Sequence, residues 1–297
     1  DLLSTKYRAV INAATMLGQS KNIFQAEIDS ACETIDFLRY NVAFANQIYQ
    51  SQPKSAPNQL NSMEYRALEG FVFAISPFNF TSIASNLNLS PVMMGNTTVW
   101  KTATTAILSN YYLMKIFMEA GLPDGVVNFL CGSGALIGKH IIDSEHFAGI
   151  HFTGSNSTFN GLWSQVAANL PKYKSYPRLI GETGGKDFIF VHPSAPIKEV
   201  AASAFAGAFE FQGQKCSAAS RMYVPQSLWN GIKDEMIRWS ENVKMGDVMD
   251  SSNFINAVID EKSFDNISSY IEFAKESSEA EIVFGGKCDK SKGYFIT

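Results

Sequence analysis

Residues 71–80 read FVFAISPFNF, in which five consecutive apolar residues are followed by a turn that contains a proline. A short run that is apolar at every position predicts a strand buried on both faces, because half-exposed strands alternate polar and apolar residues. The spacing of apolar residues then predicts a helix over 82–94, interrupted at Pro91, and a second strand over 97–100. The order strand, helix, strand thus begins at Phe71.

The same order repeats along the next part of the chain. Further strands are predicted over 126–130, 148–152 and 178–180, and further helices over 106–120, 135–142 and 161–170. Strands that alternate with helices form parallel sheets, since each helix carries the chain back to the start of the next strand. The sequence therefore predicts an α/β fold with a doubly wound parallel sheet. A separate helix is predicted before the sheet, over 26–48.

A second series of strands and helices follows a glycine-rich turn. It is predicted over 187–191, 197–211, 221–224 and 228–243. The turn GETGG at 181–185 lies between the two series, and we interpret it as a hinge. We therefore expect one domain over 1–183 and another over 184–297, which is also what the length of the chain favours.

The composition excludes several classes of function. A formal net charge of −4 gives no electrostatic reason to expect nucleic acid or an anionic membrane as a partner. No stretch approaches the ~20 apolar residues that span a bilayer, so no membrane insertion is expected. Four scattered cysteines and four histidines, without metal-ligand spacing, predict a reducing compartment and no metal site. The chain begins without Met and ends in the start of a predicted strand, so we expect an internal section of a longer protein.

Two glycine turns are candidates for phosphate binding. The turn GSGALIG at 132–138 leaves a strand and opens a helix, as dinucleotide loops do, although its last glycine comes one residue late. The turn FTGSN at 152–156 has the same position, and its backbone N–H groups and the Ser155 hydroxyl could hold a pyrophosphate. For the first turn the alternative is a tight glycine turn without any ligand, and for the second it is an ordinary Ser/Thr/Asn helix cap.

Three residues carry candidate reaction chemistry. Cys216 lies in a polar loop with Gly213 and Lys215, where a thiol is accessible for nucleophilic attack; a small buried apolar side chain is the alternative. Glu182 lies among glycines, which suits a mobile general base but also a solvated carboxylate. Asn79 follows a buried strand, where its amide could donate to an oxyanion or simply form a turn.

Together, these motifs resemble those of the aldehyde dehydrogenase superfamily along essentially the whole chain. The matching segments are PFNF at 77–80, WK at 100–101, FTGS at 152–155, ETGGK at 182–186 and GQKC at 213–216. The separation of 34 residues between Glu182 and Cys216, which is 216 − 182, is the interval that this superfamily uses. Within it, the segments at 68–81, 208–218 and 285–289 are similar to the branch that oxidises glutamate γ-semialdehyde in proline catabolism.

The resemblance implies a fold, a reaction and a cofactor. It implies the aldehyde dehydrogenase fold, with the cofactor domain first and the catalytic domain second. It implies that the Cys216 thiolate attacks an aldehyde, that Asn79 stabilises the oxyanion, and that Glu182 activates the hydrolytic water. It implies NAD, held by Ser76, Lys101 and the turn of Gly154, Ser155, Asn156, Ser157 and Thr158. Ser217, Phe80 and Glu33 are expected to contact the substrate.

The resemblance also implies an assembly and a compartment. Members associate through an arm, which 39–62 could form in part, so a homodimer or higher homo-oligomer is expected. The branch is mitochondrial, which implies the mitochondrial matrix. The reaction partner would be a small-molecule aldehyde.

Some positions depart from the superfamily pattern. Lys101 is followed by Thr-Ala-Thr, which lacks the acidic partner for the adenosine ribose, so NADP stays open beside NAD. Phe159 replaces a glycine beyond the turn at 154–158, and the loop that anchors the substrate carboxylate is expected beyond Thr297. Another aldehyde dehydrogenase, including one that acylates coenzyme A, and an inactive scaffold on the same fold remain alternatives. A cofactor-free cysteine hydrolase is disfavoured, because no histidine is placed near Cys216.

Overall fold

A computed structural model describes residues 1–297 and divides them into two compact units. The first unit comprises residues 1–18 and 27–183, and the second comprises residues 19–26 and 184–297. The segment 19–26 thus lies early in the chain but packs with its last third.

The first unit is built on a five-stranded parallel sheet. Its strands are β1 (Phe71–Ile75), β2 (Thr97–Lys101), β3 (Val127–Leu130), β4 (Phe147–Gly154) and β5 (Arg178–Thr183). The strands lie in the order β3-β2-β1-β4-β5, and all neighbouring pairs are parallel. The predicted doubly wound parallel sheet is therefore confirmed.

Helices precede the sheet and connect its strands. They are α1 (Arg8–Gln19), α2 (Ile23–Ala26, which falls in the second unit), a π-helical turn (Glu27–Cys32), α3 (Glu33–Gln50), α4 (Thr81–Met93), α5 (Ile107–Glu119), α6 (Gly134–Ile142) and α7 (Asn156–Asn169). Neighbouring residues of β1 point to opposite faces of the sheet. Phe73 packs with Ile142 and Leu162, and Ala74 packs with Leu113. Both faces are therefore covered by helices, which explains why every position of β1 is apolar.

The helix predicted over 26–48 is interrupted by the π-helical turn. Glu27 accepts hydrogen bonds from Arg8 and from Asn12, both on α1. Ser30 donates to the Asn12 side chain over 2.9 Å. These contacts with α1 fix the turn in a register that apolar spacing along the sequence cannot reveal.

Two boundaries of the connecting helices differ from the prediction. Helix α4 continues through Pro91 to Met93. Pro91 has no N–H for the Leu87 carbonyl, and that carbonyl instead lies 3.0 Å from the His151 Nδ1 atom. Helix α7 begins at Asn156 rather than at 161, because Ser155 caps it and accepts from the Thr158 N–H. The prediction was wrong at both points.

The second unit contains short sheets and long helices. Its further elements are β6 (Asp187–Phe190), α8 (Ile197–Phe209), a 3₁₀ turn (Glu210–Gly213), β7 (Ala219–Tyr223), α9 (Gln226–Asn242), β8 (Lys244–Met245), β9 (Asn253–Ile255), α10 (Glu261–Glu276), β10 (Cys288–Asp289) and β11 (Phe295–Ile296). Strands β6 and β7 pair in parallel, and a core of Val191, Ala201 and Ile232 forms around them with α8 and α9. The helix predicted over 197–211 ends at Phe209, where the chain turns towards Cys216.

Candidate active site

The candidate residues of the first unit lie along the carboxyl ends of its strands. Strand β1 lies between β2 and β4, so the connections leave it in opposite directions and open a crevice there. Ser76 follows β1, Lys101 ends β2 and Gly154 ends β4. The fold thus brings most of the residues predicted for the cofactor to one edge, where open α/β sheets bind their ligands.

The turn after β1 is fixed by buried hydrogen bonds. The Ser76 hydroxyl is buried and accepts a hydrogen bond of 2.9 Å from the Trp100 indole N–H. At the start of α4, the Thr81 hydroxyl shares a bond of 2.8 Å with that of Thr15. Between these two anchors, Asn79 is half-buried. The amide therefore lies on a turn whose two ends cannot move freely, as an oxyanion donor requires.

Glu33 and Phe80 lie near this turn. Phe80 directly precedes α4 with an extended backbone, and its side chain is half-buried. The Glu33 carboxylate, in the first turn of α3, accepts a hydrogen bond of 2.5 Å from the buried Ser82 hydroxyl. Glu33 is thus tied to the same helix that follows Asn79, rather than being an ordinary solvated carboxylate.

Lys101 extends from the end of β2 towards the turn that follows β3. A Cβ built on Gly134 would lie 3.6 Å from the Lys101 Nζ atom, so the ammonium group lies over the start of α6. Burial lowers the pKa of Lys101, and the nearby Cys131 thiol opposes this shift. The glycine turn at 132–138 therefore lies beside Lys101, which is predicted to bind the cofactor.

The second glycine turn presents the N-terminus of α7 to solvent. Ser155, Asn156, Ser157 and Thr158 are exposed, and Gly154 is half-buried. The Ser155 hydroxyl shares a hydrogen bond of 2.8 Å with the Thr158 hydroxyl. This turn caps the helix, and its exposed N–H groups remain suitable for an anion.

Phe159 completes one side of this turn. Its ring stacks on Phe152, with centroids 5.4 Å apart, and meets Trp163 edge-on at 5.7 Å. A Cβ on Gly181 would lie only 2.4 Å from the Phe159 ring. The ring thus fills the space over Gly181 of β5, and this departure from the superfamily pattern is compatible with the fold.

Cys216 lies in the second unit, on the loop between α8 and β7. Its side chain is half-buried, and Ser217 beside it is exposed. Lys215 forms an ion pair of 3.2 Å with Glu210. The Gln214 side chain accepts from the Ile259 N–H over 3.0 Å. Gln214 belongs to the motif GQKC, but the sequence alone did not predict that its side chain anchors the loop.

The second glycine of the pair at 184–185 lies directly against the loop that carries Cys216. A Cβ on Gly185 would lie 1.7 Å from the Cys216 carbonyl oxygen, so only glycine fits there. Glu182 comes three residues earlier and is exposed at the end of β5. Gly185 therefore has a packing role beyond the flexibility that the sequence suggested.

The cavity described in the first unit does not involve the candidate residues. A cavity of about 280 Å³ in the first unit has a mostly apolar lining that includes Val72, Met94 and Ile150. None of its lining residues was predicted as functional. No group of three or more His, Cys, Asp or Glu side chains is arranged to hold a metal ion, and no helix has the length and apolarity to cross a bilayer.

The comparison with known protein families agrees with the fold and with these motifs. The chain matches the aldehyde dehydrogenase family over residues 2–297, and it belongs to that family. It is 54% identical over 299 residues to the mitochondrial delta-1-pyrroline-5-carboxylate dehydrogenase of Dictyostelium discoideum, covering 100% of this chain and 54% of that protein. It is 50% identical to the human mitochondrial enzyme of the same name, covering 100% of this chain and 53% of the human one.

A solved structure gives the same result for the fold. The crystal structure of the delta-pyrroline-5-carboxylate dehydrogenase from Mycobacterium tuberculosis bound with NAD superposes with a TM-score of 0.97 at 48% identity. The match covers 100% of this chain and 55% of that one. The chain thus has the aldehyde dehydrogenase fold and spans about half the length of the relatives it matches.

Proposed function

We propose that this protein oxidises L-glutamate γ-semialdehyde to L-glutamate with NAD, through a thioester on Cys216. Two relatives that are 54% and 50% identical over the whole chain support this substrate class. Their names specify delta-1-pyrroline-5-carboxylate as the substrate. The observation that carries the proposal is the anchored loop whose backbone at Cys216 packs against Gly185 and leaves Cys216 half-buried. A nucleophilic thiol needs this combination of access and fixed geometry.

The residues along the sheet edge fit a dinucleotide. The N-terminus of α7 offers exposed N–H groups to a pyrophosphate, and the half-buried Lys101 ammonium offers a donor to ribose hydroxyls. The Ser76 hydroxyl keeps its own proton as a donor, because its oxygen accepts from Trp100. We propose that these groups, with Gly154, hold NAD, which when bound accepts the hydride that leaves the substrate carbon.

The reaction begins with the nucleophile. The Cys216 thiol loses its proton to solvent, the thiolate sulfur bonds to the aldehyde carbon, and the carbonyl oxygen becomes an oxyanion. We assign its stabilisation to the Asn79 amide and to the backbone N–H of Cys216, because donors that are already fixed cost little reorganisation. Loss of hydride from the same carbon leaves a thioester on Cys216.

Hydrolysis then regenerates the thiol. Glu182 takes a proton from water, the hydroxide oxygen bonds to the thioester carbon, and the carbon–sulfur bond breaks to release the acid. Glu182 is exposed, which suits a base that must receive a proton and release it to solvent. Retention of this carboxylate favours hydrolysis over transfer of the acyl group to coenzyme A.

Three side chains are proposed to bind the substrate. Ser217 is exposed beside the nucleophile and is suited to hydrogen-bond the remote carboxylate. Phe80 is suited to pack on the aliphatic stem. Glu33 is fixed by Ser82, and we assign it to the substrate entrance.

We further propose a domain assignment, an assembly and a location. The cofactor domain would comprise 1–183 and the catalytic domain 184–297, with 19–26 joining the catalytic part as in the compact units. The end of α3 and the residues after it carry exposed apolar side chains, including Phe44, Ile48 and Leu60, which suits the oligomerisation arm proposed at 39–62. We propose a homodimer or higher homo-oligomer in the mitochondrial matrix.

Steady-state kinetics of the full-length protein test the substrate. NADH formation is measured with glutamate γ-semialdehyde, and with propanal as an aldehyde that lacks the carboxylate and amine. We expect the highest kcat/KM with glutamate γ-semialdehyde, and higher kcat/KM with NAD than with NADP. Equal kcat/KM for propanal would contradict the assigned substrate, and acyl transfer to added coenzyme A would contradict hydrolysis.

A further inference from the structure

Unusual backbone geometry is concentrated at one place in the second unit. Only four non-glycine residues of the chain have a positive φ, and three of them are Ser20 at 58°, Phe211 at 51° and Gln212 at 55°. These three residues meet, because the Gln212 side chain donates a hydrogen bond of 3.3 Å to the Ser20 carbonyl oxygen. Left-handed backbone is unfavourable for residues with a side chain, so surrounding contacts must hold it.

Phe211 is held by a buried cation. Its side chain is fully buried, and so is that of Lys21, which belongs to the segment 19–26. The Lys21 ammonium nitrogen lies 4.3 Å from the centroid of the Phe211 ring. An aromatic face attracts a cation, and this attraction is greatest where water is excluded.

Both polar atoms of the Gln212 side-chain amide form hydrogen bonds. The Nε2 atom donates to the Ala257 carbonyl over 2.9 Å as well as to Ser20, and the Oε1 atom accepts from the Asn256 N–H over 3.0 Å. The side chain thus joins the segment 19–26 to the chain that follows β9. The nucleophile follows only four residues later, at Cys216.

We propose that Lys21 is a positioning residue for the nucleophile. The segment 19–26 holds Phe211 and Gln212 in the left-handed conformation from which the loop presents Cys216. This inference rests on the proposed role of Cys216 and adds a residue far from it in sequence. Lys21 itself does not touch the substrate in this account; it acts through the Phe211 ring.

Four variants of the full-length protein test this role. Lys21→Met removes the charge and keeps the length of the side chain, and Lys21→Arg keeps a cation. Lys290→Met is the matched control, because the Lys290 ammonium lies 5.7 Å from the ring centroid of Phe264 in the same unit. Phe211→Leu removes the aromatic face while keeping an apolar side chain, and it tests the same contact if Lys21→Met does not fold.

The decisive readout is the rate at which iodoacetamide alkylates Cys216, followed by peptide mass spectrometry. Cys131 is exposed in the first unit and serves as the reference thiol in the same sample. We expect Lys21→Met to slow alkylation of Cys216 relative to Cys131 by about tenfold or more, and to lower kcat similarly with KM for NAD unchanged. Lys21→Arg should recover part of both, and Lys290→Met should change neither.

The outcomes separate this inference from the proposed function. If Lys21→Met and Phe211→Leu lower the melting temperature but leave the alkylation ratio and kcat within twofold of wild type, Lys21 is only structural and the inference is overturned. If the wild type forms no NADH from aldehydes but Lys21→Met still slows alkylation of Cys216, the positioning role stands and the proposed reaction fails.

Discussion

A substitution at Gly185 directly tests how the loop that carries Cys216 is held. In Gly185→Ala, the new Cβ would lie 1.7 Å from the Cys216 carbonyl oxygen and 2.8 Å from its Cα atom. Real Cβ atoms essentially never come within 3.0 Å of such atoms, so the backbone has to separate by at least about 1.3 Å. The obstructing atoms are backbone, so no side-chain rotation can relieve the clash.

A displacement of this size should affect catalysis more than folding. A shift of about 1 Å in a reacting group can cost roughly a hundredfold in rate, which corresponds to about 2.7 kcal/mol in the barrier. We therefore expect Gly185→Ala to lower kcat by about two orders of magnitude. The KM for NAD should change little, because the residues assigned to the cofactor lie in the other unit.

The assay combines NADH formation in the full-length protein with a thermal melting curve. Gly161→Ala is the matched control, because Gly161 lies inside α7 with no atom within 4 Å of a new Cβ. That variant should be as active as wild type and more stable by about 0.5–1 kcal/mol, since alanine is favoured over glycine in helices. Wild-type kcat in a folded Gly185→Ala protein would refute the packing argument.

Three further substitutions separate the roles assigned above. Asn79→Ala should lower kcat by about a hundredfold or more, or ~3 kcal/mol, with KM for NAD unchanged; an unchanged kcat would contradict the oxyanion role. Glu182→Gln should retain the first equivalent of NADH but lose turnover, as followed by stopped-flow absorbance, and normal turnover would exclude it as the base. Burial lowers the pKa of Lys101, so its charge is lost as pH rises through a value below the ordinary 10.5. KM for NAD should therefore rise over that alkaline range in the wild type. If KM for NAD still rises over that range in Lys101→Met, the assignment of Lys101 to NAD binding is contradicted.

The regular part of the fold could be predicted because its signals are local. Strand β1 was predicted at its observed bounds, since a fully apolar run has few other uses in a soluble domain. Helix α7 was predicted five residues short, because Asn156 and the polar residues after it are typical of loops. Only the cap formed by Ser155 makes them helical, and a cap depends on the geometry of the preceding strand.

The backbone conformation and the buried contacts around the candidate site could be predicted less well from the sequence. The motif around Cys216 indicated a nucleophile, but the left-handed conformation of Phe211 and Gln212 was not predictable, since neither is glycine. The buried position of Lys21 was missed for a similar reason, because a lysine near the start of a chain normally predicts a solvated surface. Both features arise from contacts between segments nearly 200 residues apart in sequence, as shown by the Ser20–Gln212 bond, whose partners are separated by 192 positions.

The central claim is that Cys216 forms a covalent acyl intermediate during aldehyde oxidation. Stopped-flow absorbance of NADH, after the full-length protein is mixed with NAD and glutamate γ-semialdehyde, tests it most directly. The account predicts a burst equal to the concentration of active sites in Glu182→Gln, and no burst when Cys216→Ser is added to that variant. A burst of the same size without the Cys216 thiol would contradict the account.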